Sequence, residues 1–598
     1  MTVDMQGNRH DSDSDASENS DDLNPRLKAR LLSQQTYYCI QRFAQKPFPG
    51  KRAVIQLPVE WNDRSAFYKV RLEGGTNHEN DNNDDAPQEV IVQVPLQVSF
   101  PGEKTGYEGA TMGYLAKHTD LPIPAVFDYD AGTNDDSVSD AATWPRSFIV
   151  MENKEDGVHM TSHLKAALHD FDKIRITQAQ VPPKDFEDPL DGALTKLYGK
   201  IARCVLQLSR PTFPRIGSLV KVEGVAHEIE GVSAEQPEGY PSEEGMTSQE
   251  IDGIKHEDHP DNHAVLGRAL TQNINSLLRY AAIPIAILKR HQTSFKNAHE
   301  YYRHLADIHL AQLVFLPGDL VSDMDDFKSR YVALCLFRKL AWEGRLATFG
   351  FAQDDWSVQS KNLTDNERRS MLPAPSSFSD FRLYAECLEP GNMLTDSQGN
   401  ITAIIDWGFA YVAPTQFSLN PPWWLLIAKP DQWSGGIVDW AKEYAEKLDA
   451  WLWAMEEEEM RLKRYEKAKR LEDYEHEQND KKTTLSGSLP APISTYMRQS
   501  WQAGRFWLDY AARDSSSFDL IYWRFLDERF FGKRSPCVKE SDLWKSRLDL
   551  MEEEDVENMN EFAQKKMQET GDRKTPAADG DDDVVIHLQM SQAMRWGW

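Results

Sequence analysis

The stretch Phe381-Arg-Leu-Tyr-Ala-Glu-Cys-Leu-Glu-Pro-Gly-Asn392, followed by Ile401-Thr-Ala-Ile-Ile-Asp406-Trp407, decides how this chain is read. It reads as strand, tight loop, strand, hairpin turn and strand. Asp396-Ser-Gln-Gly-Asn400 supplies the turn residues that bring two short strands antiparallel. Two polar residues stand beside apolar runs, Asn392 before Met393-Leu394 and Asp406 after Ile404-Ile405. Spacing alone equally suits an ordinary hairpin with Asn and Asp capping its ends.

The same layout describes a kinase catalytic loop followed by a metal-binding Asp. There a base Asp precedes the Asn by five positions, while the Asn and the second Asp hold the Mg²⁺ that bridges nucleotide phosphates. Asn392 and Asp406 offer the hard oxygen ligands Mg²⁺ takes. Five positions before Asn392 stands Cys387, not Asp. A free thiol titrates near ~8.5, so it is mostly protonated at neutral pH and cannot orient an acceptor hydroxyl by charge. No Lys, Arg or His flanks it, and Glu386 and Glu389 would raise its pKa further. Glu386 is the candidate substitute base. Neighbours in an extended segment point opposite ways, so that role requires a shifted loop.

Composition sets outer limits. A chain of 598 residues accommodates two to four domains and a large core. The formal charge of -28, from 95 acids against 67 bases, argues against nucleic acid or an anionic membrane as a general partner. Five widely spaced cysteines suit a reducing compartment. His256, His259 and His263 cluster at ligand-like spacing, but no cysteine accompanies them and Pro260 interrupts any helix. Neither a signal peptide nor a membrane-length apolar run is evident, so the expected location is the cytosol or nucleus.

Along the chain, residues 1–25 are too acidic and polar to pack and read as disordered. Strands are expected at Phe67–Leu72, Glu89–Leu96 and Phe148–Glu152, with an Asn/Asp loop at Asn77–Asp85. A helix Tyr107–His118 carries Glu108 and stops before Leu121-Pro-Ile-Pro124. This is a β-rich unit over 35–155. Helical periodicity then dominates 156–535, at Leu194–Gln207, Gln272–Ala282, Ala298–Leu313, Phe327–Arg345, 437–475 and Met497–Tyr510. An acidic insertion at 221–262, a polar linker at 476–492 and a mostly acidic tail at 568–598 interrupt or end the pattern. In the 437–475 helix, Trp440, Tyr444, Leu448, Trp451 and Met455 mark a buried face, while Glu456–Glu459 read as solvated surface. Trp423 and Trp424 read as core packing.

The chain resembles the aminoglycoside phosphotransferase family, in particular its large fungal branch, whose pattern is F-R-L-x-x-x-D-x-x-P-x-N…I-x-x-x-I-D-W-E-F and then P-P-W-W-L-L. The matching residues are Phe381-Arg-Leu383, Pro390-Gly-Asn392, Ile405-Asp-Trp407, Phe409 and Pro421-Pro-Trp-Trp-Leu-Leu426. Trp501-Gln-Ala-Gly-Arg-Phe-Trp507 and Phe530-Phe-Gly532 extend the resemblance, which covers most of 35–535. It implies an α+β, bilobal protein-kinase-like fold, with a small β-rich N-terminal lobe and a large helical C-terminal lobe, binding ATP and Mg²⁺ between them.

The departures are specific. The base Asp falls on Cys387, Ala385 falls where the wider family often has His, and Glu389 where the branch often has Arg. The phosphate-holding Lys or Arg of the second strand falls on Gln93, which leaves Glu108 without its basic partner. No Gly-rich loop precedes the first strand; Asn62-Asp-Arg-Ser65 takes that region. The implied reading is a phosphotransferase-like protein with a degraded catalytic loop that still binds ATP–Mg²⁺ through Asn392 and Asp406. The alternatives are an active phosphotransferase using Glu386 on a small-molecule or protein acceptor, and a scaffold that binds no nucleotide.

Overall fold

The computed structural model describes residues 23–74, 88–132, 144–154, 157–178, 192–222, 263–280, 283, 294–315, 321–476 and 489–572. The acidic start up to residue 22, the Asn77–Asp85 loop, 223–262 with His256 and His259, 477–488 and 573–598 lie outside the described residues.

The N-terminal part is a six-stranded antiparallel sheet. Its strands are β1 (Arg52–Ile55), β2 (Glu60–Trp61), β3 (Ser65–Glu73), β4 (Glu89–Pro95), β5 (Val126–Asp130) and β6 (Phe148–Glu152), in the order β1-β3-β4-β6-β5, with β2 paired to β3. Strand β4 is a continuous apolar run because both sheet faces are covered. Val90, Val92 and Val94 pack with Tyr68, Val70 and Leu72 in a core closed by Leu31 of α1 (Pro25–Leu31) and Ile40 of α2 (Gln34–Gln45). Ile91, Ile149 and Met151 belong to a second core with Ala110, Met112 and Leu115 of α3 (Pro101–His118). Full burial of such side chains stabilises by about 1.5–3 kcal/mol each. Strand parity therefore puts Gln93, like Ile91, on the α3 side.

Helices α1 and α2 form where the sequence reading placed no element. Asn24 and Ser33 cap them, and Pro25 opens the first, so the described structure enters the segment expected to be disordered. Helix α3 begins at Pro101, six residues before the expected start. Proline at the first turn lacks only an N–H that would have no helical partner anyway. The earlier start brings Lys104 into the helix, one turn before Glu108.

Helices α4 (Met160–Gln178), α5 (Ala193–Leu208), α6 (Gln272–Tyr280), Ala298–Phe315, Met324–Trp342 and Ile437–His476 build the rest around three small sheets. Strand β7 (Val158–His159) joins β12 (Met393–Thr395) and β13 (Ile401–Ile404). Strand β11 (Phe381–Ala385) lies between β8 (Thr212–Phe213) and β14 (Ala410–Ala413). Strands β9 (Ser218–Lys221) and β10 (His263–Gly267) pair across the expected insertion and take residues from both its borders. Among the described residues, no helix is long and apolar enough to cross a membrane.

Three local expectations need correction. The Met497–Tyr510 helix is two helices, Ile493–Ala503 and Arg505–Arg513. Gly504 separates them at φ +81°, where an added Cβ would lie 2.9 Å from the Arg529 side chain. The Glu456–Glu459 run is not uniformly solvated. Glu459 is buried and accepts from the Ser494 N–H and Oγ–H, and Glu458 is buried against Arg203 and Arg461. Finally, the helix Glu553–Asp572 continues past residue 568, where the tail was expected to begin. By contrast, Trp440, Tyr444, Leu448, Trp451 and Met455 are all buried, as their spacing requires.

Candidate functional site

Strand β11 delivers the chain into a turn at Glu386-Cys387, where the Leu388 N–H donates to the Ala385 carbonyl. The loop closes on itself: Asn392 Nδ2 donates to the Cys387 carbonyl at 3.0 Å. In the hairpin, Met393 pairs with Ile404, and the Ile405 N–H donates to the Asn392 carbonyl at 2.9 Å. Asn392 and Asp406 consequently occupy the same end of the hairpin. Asp406 sits at φ +58°, a left-handed conformation that Asp tolerates better than most residues. Trp407 anchors the turn by donating its Nε1–H to the Ile404 carbonyl.

Across from this turn lies a buried polar cluster. Lys104 Nζ meets Glu108 Oε2 at 2.9 Å, with both side chains at most 2% exposed. Gln93 Nε2 donates to both Glu108 oxygens, at 3.2 and 3.3 Å, and lies 3.2 Å from Ser65 Oγ. Glu108 therefore has a cation, contrary to the sequence reading. It comes from one turn earlier on α3, not from β4. The i,i+4 spacing was visible in the sequence, but only a helix beginning before Lys104 makes it meaningful. Gly408 abuts this pair: a Cβ there would lie 2.6 Å from Lys104 Nζ and 3.2 Å from Glu108 Oε2. A side chain at this position would have to displace the Lys104 ammonium from where it now lies.

Cys387 is buried beneath two side chains, Arg64 and Gln272. Arg64 Nη1 lies 3.3 Å from its sulfur and Gln272 Nε2 lies 2.9 Å away, while Arg64 Nη2 pairs with Asp406 Oδ2 at 3.2 Å. Tertiary structure thus supplies the basic neighbour that the flanking sequence lacks. Burial and the nearby Asp406 still push the thiol well above its ordinary value, outweighing Arg64, so Cys387 is a neutral thiol. Burial also raises Asp406, but Arg64 and then Lys104 outweigh it and hold the carboxyl below its usual value.

Glu386 is engaged elsewhere. Its Oε2 accepts from the Gln272 N–H at 2.7 Å, in the first turn of α6, where Thr271 Oγ1 accepts from the Ile274 N–H. With Tyr384, Asn420 and Arg513 it lines a cavity of about 80 Å³. Burial raises its pKa to about 7, against lowering by the Gln272 N–H and Arg513. Glu386 and Cys387 both touch Gln272, one through its backbone and one through its side chain. Helix α6 thus seats on the Glu386-Cys387 turn. It also reaches the N-terminal sheet region, where Asn275 Oδ1 accepts from the Ser99 N–H and Arg279 binds Gln97 and the Asp63 carbonyl. Arg64, Lys104 and Gln272 are the site residues to which sequence reasoning gave no role, since all three come from segments far from the motif.

The hairpin end tests the implied cofactors. Two oxygen-bearing side chains with phosphate oxygens would suffice for Mg²⁺, but the Asp406 carboxylate already pairs with Arg64. Each unit of charge about 4 Å from a guanidinium is repelled by on the order of 4 kcal/mol at an effective dielectric of 20. Mg²⁺ does not fit unless Arg64 leaves. Among the described residues, no group of three His, Cys, Asp or Glu side chains is arranged to hold a metal. Phosphates fit better. Arg64 Nε is buried without a hydrogen-bond partner, and its closest carboxylate, Asp63 Oδ1, is 3.7 Å away.

No protein-family model matches the chain, and no curated protein matches it. Two solved structures are similar over most of their length. One is a thermostable mutant of an aminoglycoside phosphotransferase in ternary complex with ADP and hygromycin B. It is 13% identical, covers 81% of this chain and 97% of its own, and has a TM-score of 0.28. The other is a type I macrolide 2'-phosphotransferase, 9% identical, covering 83% of this chain and 98% of its own, with the same TM-score of 0.28. At that TM-score neither likeness decides the fold.

Proposed function

We propose that this chain has a bilobal, kinase-like phosphotransferase architecture, holds a nucleotide's phosphates between the N-terminal sheet and the catalytic-loop hairpin, and does not transfer the γ-phosphoryl group. The observation that carries this reading is Cys387: a buried, neutral thiol five residues before Asn392, covered by Gln272 and Arg64. Phosphoryl transfer rests on aligning acceptor and phosphate and stabilising developing charge. An acceptor hydroxyl has no carboxylate at the base position and no open approach to it. General-base assistance alone is worth roughly 10²–10⁴-fold. The Lys104–Glu108–Gln93 cluster, packed directly on Gly408, supports a retained phosphate end.

The rival reading assigns the base to Glu386, whose pKa of about 7 would suit proton transfer. Its carboxylate, however, accepts from the α6 backbone and lines a separate small cavity. Calorimetric titration with ATP, paired with a turnover assay, tests the proposal. Saturable binding with turnover at background is expected. Turnover at the ~1–100 s⁻¹ of working kinases, abolished by Glu386→Gln but not by Cys387→Ser, would transfer the role to Glu386. No saturable binding under any ionic condition would leave the scaffold reading.

A further inference from the structure

We infer that Arg64 takes the place of the divalent metal at Asp406, so that this cleft binds the polyphosphate of a nucleotide free of Mg²⁺. The inference rests on the nucleotide reading above and departs from what the family resemblance implies about the metal.

A tight turn carries Arg64. Residues 62–64 link β2 to β3, and Asn62 Oδ1 accepts from the Arg64 and Ser65 N–H groups at 2.9 and 2.8 Å. The Leu96 N–H donates to the Arg64 carbonyl at 2.7 Å, and Arg279 of α6 holds the Asp63 carbonyl. The backbone is thereby fixed on both sides, and the side chain is aimed at the hairpin end. Its guanidinium divides its donors: Nη2 pairs with Asp406, Nη1 meets the Cys387 sulfur, and Nε has no hydrogen-bond partner although it is buried. A planar guanidinium forms paired hydrogen bonds to phosphate oxygens with defined geometry, which suits those unused donors.

Arg64 and Lys104 meet three carboxylates here, Asp406 at 3.2 Å, Asp63 at 3.7 Å and Glu108 at 2.9 Å. A working metal site leaves its Asp carboxylate for the dication. Here that carboxylate is neutralised by a side chain whose backbone is pinned, so a metal would have to displace a tethered competitor. An incoming phosphate needs only to share it. Arg64 bridges Asp406 and phosphate as a fixed monovalent cation, whereas Mg²⁺ in solution competes for the same phosphate oxygens.

The test is calorimetric titration of ATP into the full chain in EDTA and in 5–10 mM (about a physiological excess) Mg²⁺, with wild type, Arg64→Ala and Arg64→Gln. Mn²⁺ binding by electron paramagnetic resonance on the same proteins gives a readout independent of affinity. Wild type should bind ATP in EDTA at least as tightly as in Mg²⁺ and take up no Mn²⁺ with the nucleotide. Both Arg64 variants should weaken ATP in EDTA by about tenfold or more, as expected from a lost charge-assisted contact. They should also gain Mn²⁺ when ATP is present. Wild-type binding that needs the metal by tenfold or more, with Mn²⁺ bound, overturns this inference and leaves the nucleotide reading standing. Absence of binding in both buffers overturns both readings. Circular dichroism of the two variants separates a folding defect from a lost contact; if both unfold, the comparison of wild type in EDTA and Mg²⁺ decides alone.

Discussion

Replacing Glu386 with Gln should stabilise the protein at alkaline pH and do almost nothing at acid pH. The carboxyl lies between the α6 N-terminus and a small cavity, and burial raises its pKa from 4.5 to about 7. A carboxyl raised by folding contributes stability that is complete below 4.5 and lost as pH rises through about 7. Across that interval the loss is on the order of 3 kcal/mol, since each pKa unit corresponds to ~1.4 kcal/mol. Glutamine is a permanently neutral isostere that can still accept the Gln272 N–H. Urea unfolding of both proteins at several values between pH 4.5 and 8 measures the difference through midpoints at a common slope. The two curves should nearly coincide at the acid end. The variant should be more stable by about 3 kcal/mol at pH 8. A gap independent of pH, or a wild type that gains on the variant as pH rises, refutes the reasoning.

Two further outcomes follow from the same geometry. Lys104→Met leaves Glu108 buried without its cation and should destabilise by about 3–5 kcal/mol, with much of that recovered in the double variant Lys104→Met/Glu108→Gln; denaturant midpoints of the singles and the double give the coupling, and simple additivity would contradict the pairing. Brief thiol alkylation of the native protein followed by mass spectrometry should label exposed Cys537 and spare Cys387, which is buried and held neutral; rapid labelling of Cys387 would show that the loop is open.

Much of the scaffold was legible in the sequence because it is written in local periodicity. The run Glu89–Leu96 matches β4, and Trp440 through Met455 are buried along one helix. The pairing of β12 with β13 follows from turn residues between two short apolar strands, which brought Asn392 and Asp406 to one end. Where local signals were overridden, the cause was contact with distant chain: Ser494 with Glu459, and Arg203 with Glu458. Gly504 divides a continuous-looking helix because its left-handed backbone lies against Arg529.

The sequence by itself determined that a thiol, Cys387, precedes a short hairpin that carries an amide, Asn392, at its start and a carboxylate, Asp406, at its end. Only the tertiary structure decided what surrounds them. Cys387 has no cation in its flanking sequence, yet Arg64, 323 positions away along the chain, lies against its sulfur. Glu386 is next to Cys387, but the α6 backbone takes its carboxylate. Lys104 acquires its role from where α3 begins and how closely Gly408 approaches. Periodicity and turn chemistry act over a few residues and can be read along the chain. Charge compensation and access depend on which segments share a few ångströms of space, and folding alone sets that.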